Sequence, residues 1–299
     1  MRLGLLGLIR SVADEGTEEG ALDLGAMIMH HLVDLAEWEL PFYTLHFPSF
    51  EPIQLGPLVL DLSPTKHMAL LVIAAVLCLF LFISAARSLR RRDPNRAPSG
   101  WANAVETLVV FFRDEVVRTN IGHGADVYTP YVLTVFFFIL VNNLLGLVPF
   151  MGSATGNLAV TAALALLTFI LVEVSGMRAL GPRGYLGTIF YAPKGLNPIA
   201  TGLMLIIMTP VEFLGKLTKP FALAIRLFAN MTAGHTLILS LIGMIFVFSN
   251  LTLGRWGIAG ASVAMSSAIM ILEVFVAFLQ AYIFAMLTAV FIGLIRHAH

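Results

Sequence analysis

Arg226 stands in the run Pro220-Phe-Ala-Leu-Ala-Ile-Arg226-Leu-Phe-Ala-Asn230-Met-Thr-Ala-Gly234-His235, which is otherwise apolar enough to be buried in a membrane. A guanidinium stays charged at any physiological pH. Inside a bilayer it costs about 2.5–3.5 kcal/mol on insertion scales, so it needs a carboxylate partner or a water-filled cavity. Polar residues recur around it at helical spacing. Asn230 follows by one turn and shares its face, and Glu212 and Lys219 precede it on one stripe. His235 lies beyond, and Glu273 and Gln280 interrupt a second apolar run. Carboxylates, imidazoles and amides can support water and pass protons, whereas a fixed cation repels a bare proton. Such a set describes a barrier with access from each side. A partner with an intramembrane carboxylate could take up a proton on one side, pass the arginine in ionised form and release a proton on the other.

The elements that position these groups must be membrane helices. Hydrophobic residues make up 58% of the 299, charged residues only 12%, and the mean hydropathy is +0.88, values that exclude an ordinary soluble domain. The single cysteine, Cys78, provides neither a disulfide framework nor a thiolate metal site. Charge is unevenly spread: ten of the 18 acidic residues precede Lys66, where only Arg2 and Arg10 are basic. Residues 1–65 are therefore expected to form an acidic extracytoplasmic segment broken by Pro41, Pro48, Pro52, Pro57 and Pro64, and residues 66–299 the membrane domain. Met1–Arg10 is short for a signal peptide and lacks a clear cleavage site. His30 and His31 near Asp34 read as a solvated helix face rather than as metal ligands.

The first span is expected from Met68 to about Ala86, followed by Arg87, Arg90, Arg91, Arg92 and Arg96. Such a basic cluster places that loop in the cytoplasm and the N-terminus outside. Between Trp101 and Thr119, the recurrence of Val105, Leu108, Val109, Phe112 and Val116 predicts an amphipathic helix, lying on the membrane surface or packed on protein. Tyr131–Phe150 is the second span, with Asn142 and Asn143 as candidate helix-joining polar groups, and Asn157 to about Gly176 is the third. Arg178, Arg183 and Lys194 follow in a Gly/Pro-rich stretch, Gly181-Pro-Arg-Gly184 and Pro193-Lys-Gly195, expected to be a cytoplasmic loop. Glu173 sits in the third span with no role assigned.

From about Ile199 to Phe248 helix-like apolar sequence runs for roughly 50 residues, about 75 Å at 1.5 Å per residue, against a hydrocarbon core of about 30 Å. Either Pro210 and Pro220 divide it, or one bent helix lies steeply tilted; the latter is the favoured expectation. A last helix, about Ala261–Arg296, is likewise too long to stand upright, and Ser249–Gly257 is the expected hairpin loop. Antiparallel pairing then sets His235 level with Glu273, and Arg226 level with Gln280, because both pairs are symmetric about residue 253 or 254. The fold class expected is an all-α polytopic membrane protein with a long, tilted C-terminal helical hairpin and one amphipathic surface helix.

Two segments, Leu217-Thr-Lys219-Pro220 through Arg226-Leu-Phe-Ala-Asn230-Met-Thr-Ala-Gly234 and then Leu279-Gln280-Ala281-Tyr282-Ile-Phe284, closely resemble subunit a of F-type ATP synthases. The resemblance extends from about Lys66 to the C-terminus. It implies a proton-conducting stator subunit, with Arg226 facing a rotating ring of c subunits and Glu212 in a cytoplasmic half-channel. Asn230, His235, Glu273 and Gln280 would belong to the outer half-channel or to the surroundings of the arginine. Some family members carry a carboxylate at the His235 position and a histidine at the Glu273 position; here the two are exchanged. The resemblance further implies peripheral-stalk b subunits and other ATP synthase subunits as partners, a bacterial inner membrane, a cytoplasmic C-terminus, and ATP chemistry on other subunits. No catalytic residue, cofactor, metal or nucleic acid is expected.

Simpler readings stand beside these. Gln280 and Asn230 can hydrogen-bond between helices, His235 with Glu273 can form a structural pair, and Lys216 and Lys219 can snorkel to the cytoplasmic surface. A structural ion pair of Arg226 with Glu212 is disfavoured by about 21 Å of intervening helix. A secondary transporter would show an internal repeat, and none is found. A membrane enzyme would show H-E-x-x-H, G-x-S-x-G or a phosphate-binding loop, and the chain has none of these.

Overall fold

The computed structural model describes residues 37–40, 43–48, 50, 53–55, 58–60, 63–90, 100–148, 151–190, 197–248 and 254–297. His30, His31, Asp34, Arg91, Arg92, Arg96 and the Pro193-Lys-Gly195 stretch lie outside them. Among the described residues, four short strands precede six helices of 11 residues or more. The strands are β1 (Glu37–Leu40), β2 (Tyr43–His46), β3 (Ile53–Leu55) and β4 (Leu58–Leu60). The helices are α1 (Lys66–Arg90), α2 (Trp101–Phe111), α3 (Thr129–Gly146), α4 (Leu158–Ile189), α5 (Pro198–Val247) and α6 (Gly254–Arg296). Among the described residues, α1, α3, α4, α5 and α6 are long and apolar enough to cross a membrane. The chain is thus an all-α polytopic membrane protein, with two small hairpins added at the N-terminal side.

Those hairpins lie in the acidic, proline-broken segment and add strands to the all-α class expected from the sequence. β1 pairs antiparallel with β2, Glu37 opposite His46, and β3 with β4, Ile53 opposite Leu60. Two-stranded ribbons are marginal alone. Here Trp38 is buried against Leu70 of α1 and Ala154, with Leu45, Phe47 and Met151 around them. That packing lies in the first of two compact units, formed by residues up to Leu77 together with Leu140–Asn157 and Phe228–Leu279.

The second unit comprises Cys78–Ile139, Leu158–Leu227 and residues from Gln280 onward. α2 packs here on protein, since Phe112 stacks 4.3 Å from Phe136 and 6.0 Å from Tyr282. The helical run continues past α2 as a wider π turn over Phe112–Arg118 and a last turn at Thr119–Ile121. The extra residue per turn sets both Val116 and Val117 on the buried side. Outside the apolar face, Arg118 bonds Asp126 at 3.1 Å and Asp114 at 2.8 Å, and Arg113 bonds Asp126 at 3.2 Å. Hydrogen bonds from Arg118 and then Arg113 hold the Asp126 carboxyl down at about 2.

Three expected boundaries move. α1 starts before Met68 and runs on to Arg90. The expected Gly181–Gly184 loop is instead a kink within α4: Gly181 takes φ +70°, which glycine tolerates, and Pro182 can open the next helical segment because its missing N–H falls among donors that have no intrahelical acceptor. α6 begins at Gly254, so Gly254, Trp256 and Gly257 are helical rather than loop. Pro210 and Pro220 lie within the 50-residue α5 without ending it.

Candidate functional site

In the first unit the polar groups of α5 and α6 converge through a glycine. A Cβ placed on Gly234 would lie 1.7 Å from Glu273 Oε1 and 2.8 Å from its carboxyl carbon, so the carboxylate of α6 rests directly on the α5 backbone beside His235. A second glycine, Gly146 of α3, borders His235: a Cβ there would sit 3.1 Å from His235 Nε2 and 2.5 Å from Ser153 Cβ. Among the described residues, Glu273 Oε2, His235 Nε2, Thr232 Oγ1 and Ser266 Oγ are buried and make no hydrogen bond. Leaving a buried polar atom unsatisfied costs about 1–3 kcal/mol. Glu273 and His235 both border Gly234, so their two bare atoms form a small polar cluster that calls for water rather than for apolar packing.

Next to this cluster, Thr155 Oγ1 donates to Asn143 Oδ1 at 2.7 Å and lies 2.6 Å from Ser153 Oγ. Asn143, expected to join helices, ties α3 to the turn at 153–156. Asn230 is exposed on α5 within the same unit.

In the second unit, Leu223, Ala224 and Leu227 turn into the core, and Arg226 lies on the exposed side of the helix. No carboxylate of the described residues lies within salt-bridge distance of its guanidinium. Gln280 is buried, and its Nε2 donates to the Arg226 carbonyl oxygen at 3.3 Å. The expected level pairing of these two residues therefore holds through the backbone, with Gln280 anchoring α6 to α5 behind the arginine.

The same unit contains a partly open cavity of about 200 Å³ whose polar lining is Thr168, Glu173, Thr188, Glu212, Lys216 and Lys219, with Glu212 exposed. Glu173 and Lys216 form an ion pair at 3.6 Å, with side chains only 13% and 11% exposed. Tyr185 donates a short hydrogen bond to Glu173 Oε2, and Lys216 Nζ donates to Thr188 Oγ1 at 3.1 Å while standing 4.4 Å over the Tyr185 ring. Lys216 thus does not snorkel: the half-buried carboxylate of α4 captures it. Lys219 is exposed, 5.3 Å over the Phe291 ring. Sequence reading missed the grouping of Glu173, Tyr185 and Lys216. Its one legible sign was a carboxylate inside an apolar span, which by itself calls for a partner.

The structure therefore gathers Glu273 and His235 in one unit, and Glu212 with Lys219 in the other, where Gln280 meets Arg226. The model of the ATP synthase A chain family matches residues 68–293. The chain is 47% identical to ATP synthase subunit a of Chloroherpeton thalassium over 267 residues, covering 89% of this chain and 75% of that relative. It is 45% identical over 271 residues to ATP synthase subunit a 2 of Chlorobium luteolum, covering 90% and 75%, and 43% identical over 296 residues to ATP synthase subunit a of Anaeromyxobacter dehalogenans, covering 93% and 73%.

Proposed function

This chain belongs to the ATP synthase A chain family, and from that premise we propose that it is the proton-conducting stator of a rotary F-type ATP synthase, with Arg226 separating two offset half-channels. The observation that carries this reading is the exposed Arg226, a permanent cation on an apolar helix with no carboxylate of the described residues within salt-bridge distance. A rotor carboxylate passing that face supplies the missing charge. At about 4 Å and an effective dielectric near 20 the attraction is about 4 kcal/mol, enough to draw the ionised group to the arginine without trapping it permanently. Exposed Ala222, Ala229 and Ala233 beside Arg226 leave room for a closely packed ring of c subunits.

The outer half-channel runs past Glu273 and His235, with Thr232 and Ser266 as further polar groups along α5 and α6 and Asn230 at its inner end. The inner one is the cavity holding Glu212. A proton enters from outside through the Glu273 and His235 region and neutralises a rotor carboxylate, which then travels through lipid as a neutral acid. On the other side the acid gives its proton to the Glu212 cavity, and the carboxylate formed returns past Arg226. Gln280 fixes the backbone from which the arginine projects. ATP chemistry takes place on other subunits, and b subunits of the peripheral stalk keep this chain from turning.

The basic end of α1, with Arg87 and Arg90, belongs to the cytoplasmic side of a bacterial inner membrane. The acidic residues 1–65 are then extracytoplasmic, residues 66–299 form the membrane domain, and five passages leave the C-terminus cytoplasmic. At about 75 Å and about 65 Å, α5 and α6 span a core of about 30 Å as a steeply tilted hairpin.

Arg226→Ala tests the reading in inverted membrane vesicles. Coupled ATP synthesis is expected to vanish while the complex assembles and passive proton leak rises. Normal coupled synthesis in that variant refutes the assignment.

A further inference from the structure

The cytoplasmic-side cavity holds a carboxylate that the proton path described above does not use. Glu173 lies on α4 in the second unit, its side chain 13% exposed, and its partners are Lys216 and Tyr185. Lys216 follows Glu212 on α5 by four residues, the spacing at which a glutamate and a lysine on one helix ordinarily pair. Both line the same cavity. Yet the ammonium goes to Glu173 and Thr188 and stands over the Tyr185 ring, and among the described residues no ion pair joins Lys216 to Glu212.

We propose that Glu173, buttressed by Tyr185, is a positioning residue that sequesters Lys216 and so leaves the Glu212 carboxyl free to exchange protons. The proposal rests on the reading of the cavity as the inner half-channel.

The local fold explains how the arrangement arises. The kink at Gly181 and Pro182 turns the end of α4 into a separate helical segment carrying Tyr185 and Thr188 three residues apart, on one face. One residue then donates to Glu173, and the other accepts from Lys216. The ammonium here has one hydrogen-bond acceptor, Thr188 Oγ1, an aromatic face and the Glu173 carboxylate as its counter-charge. Both charges are largely out of water, so separating them would strand a buried ion, which makes the pairing persistent.

The consequence for Glu212 follows from the charges around it. From α4 the cavity receives Glu173, with Tyr185 beside it; from α5, Lys216 and Lys219; from α6, only the apolar Phe291, Leu294 and Ile295. Lys219 is two turns from Glu212 and is held over Phe291. Lys216 is therefore the one cation of this lining a single turn from Glu212. Brought beside a carboxylate, a cation lowers its proton affinity by about one to three pKa units. A carboxyl that must take up and return protons would then hold a proton less well.

The test is ATP-driven proton pumping by the whole complex in inverted vesicles, followed against the pH of the cytoplasmic-facing medium. Glu173→Gln keeps the shape and frees Lys216. The alkaline limb of pumping is expected to move down by about one pH unit, up to about tenfold slower at a fixed alkaline pH, with complex content unchanged. The double variant E173Q/K216Q removes the freed cation and should return the limb to that of the parent. A parental pH profile in E173Q, or a double variant as shifted as the single, overturns the proposal. If E212Q also pumps at the parental rate, the half-channel reading fails with it; if E212Q is slow while E173Q is parental, only the sequestering role falls.

Discussion

Gly234→Ala is a one-carbon change that separates proton transfer from stability. The new Cβ would lie 1.7 Å from Glu273 Oε1, whereas ordinary contact starts at 3.4 Å, so the carboxylate must retreat by about 1.7 Å. What yields is the end of a flexible side chain, and alanine favours a helix over glycine by about 1 kcal/mol, so the fold should hold. Function should not, because a displacement of about 1 Å at a reacting group can cost about 10²-fold. The expected result is an assembled complex of parental heat stability whose passive proton conduction, measured in vesicles stripped of the catalytic sector, falls by about tenfold to a hundredfold. Shortening the displaced side chain should recover part of the loss, so G234A/E273D is expected to conduct faster than G234A. Parental conduction in G234A would falsify the placement of Glu273 in the outer path. A loss of assembly would show instead that the close approach of α5 and α6 is structural.

Two further substitutions test the frame around the sites. Gly293→Ala would set a Cβ 2.0 Å from the backbone oxygen of Asn120, which cannot swing away as a side chain does. The variant should lose about 1–3 kcal/mol or more, read as a lower melting temperature of the detergent-solubilised complex, and unchanged melting rejects the packing. Thr155→Val keeps the shape but removes the 2.7 Å hydrogen bond to Asn143, at a cost of about 1–3 kcal/mol in a buried site. Melting of that variant within about 1 °C of the parent would reject the bond as a support of the outer cluster.

The class of fold was legible because burial in lipid imposes a local rule. Runs of about 20 apolar residues must be helices, and α1, α3, α4, α5 and α6 are found where those runs occur. Arg226 stood out for the same reason, since a charge in such a run is costly wherever the rest of the chain goes. Antiparallel pairing of α5 and α6 followed from residue order alone, and each unit contains one contact of the expected level: Gly234 with Glu273, and Arg226 with Gln280. The strands at 37–60 were not legible, because short segments depend on what Trp38 packs against and not on their own periodicity. Likewise Gly181 and Pro182 read as loop signals, while the helical segment after the kink is held through Tyr185 and Thr188.

What the sequence by itself determined was the solvent: apolar length and the placement of charge made this a membrane protein, and one arginine marked its last two long helices as a candidate site, because desolvation penalties act residue by residue. What only the tertiary structure decided was which groups share a charge or a proton. Lys216 has Glu212 one turn away along its own helix, yet bonds to Glu173, 43 positions earlier. That choice depends on the rotation of α4 against α5 and on a kink at Gly181, and helix rotation is fixed by packing across the bundle, which no local run of residues encodes.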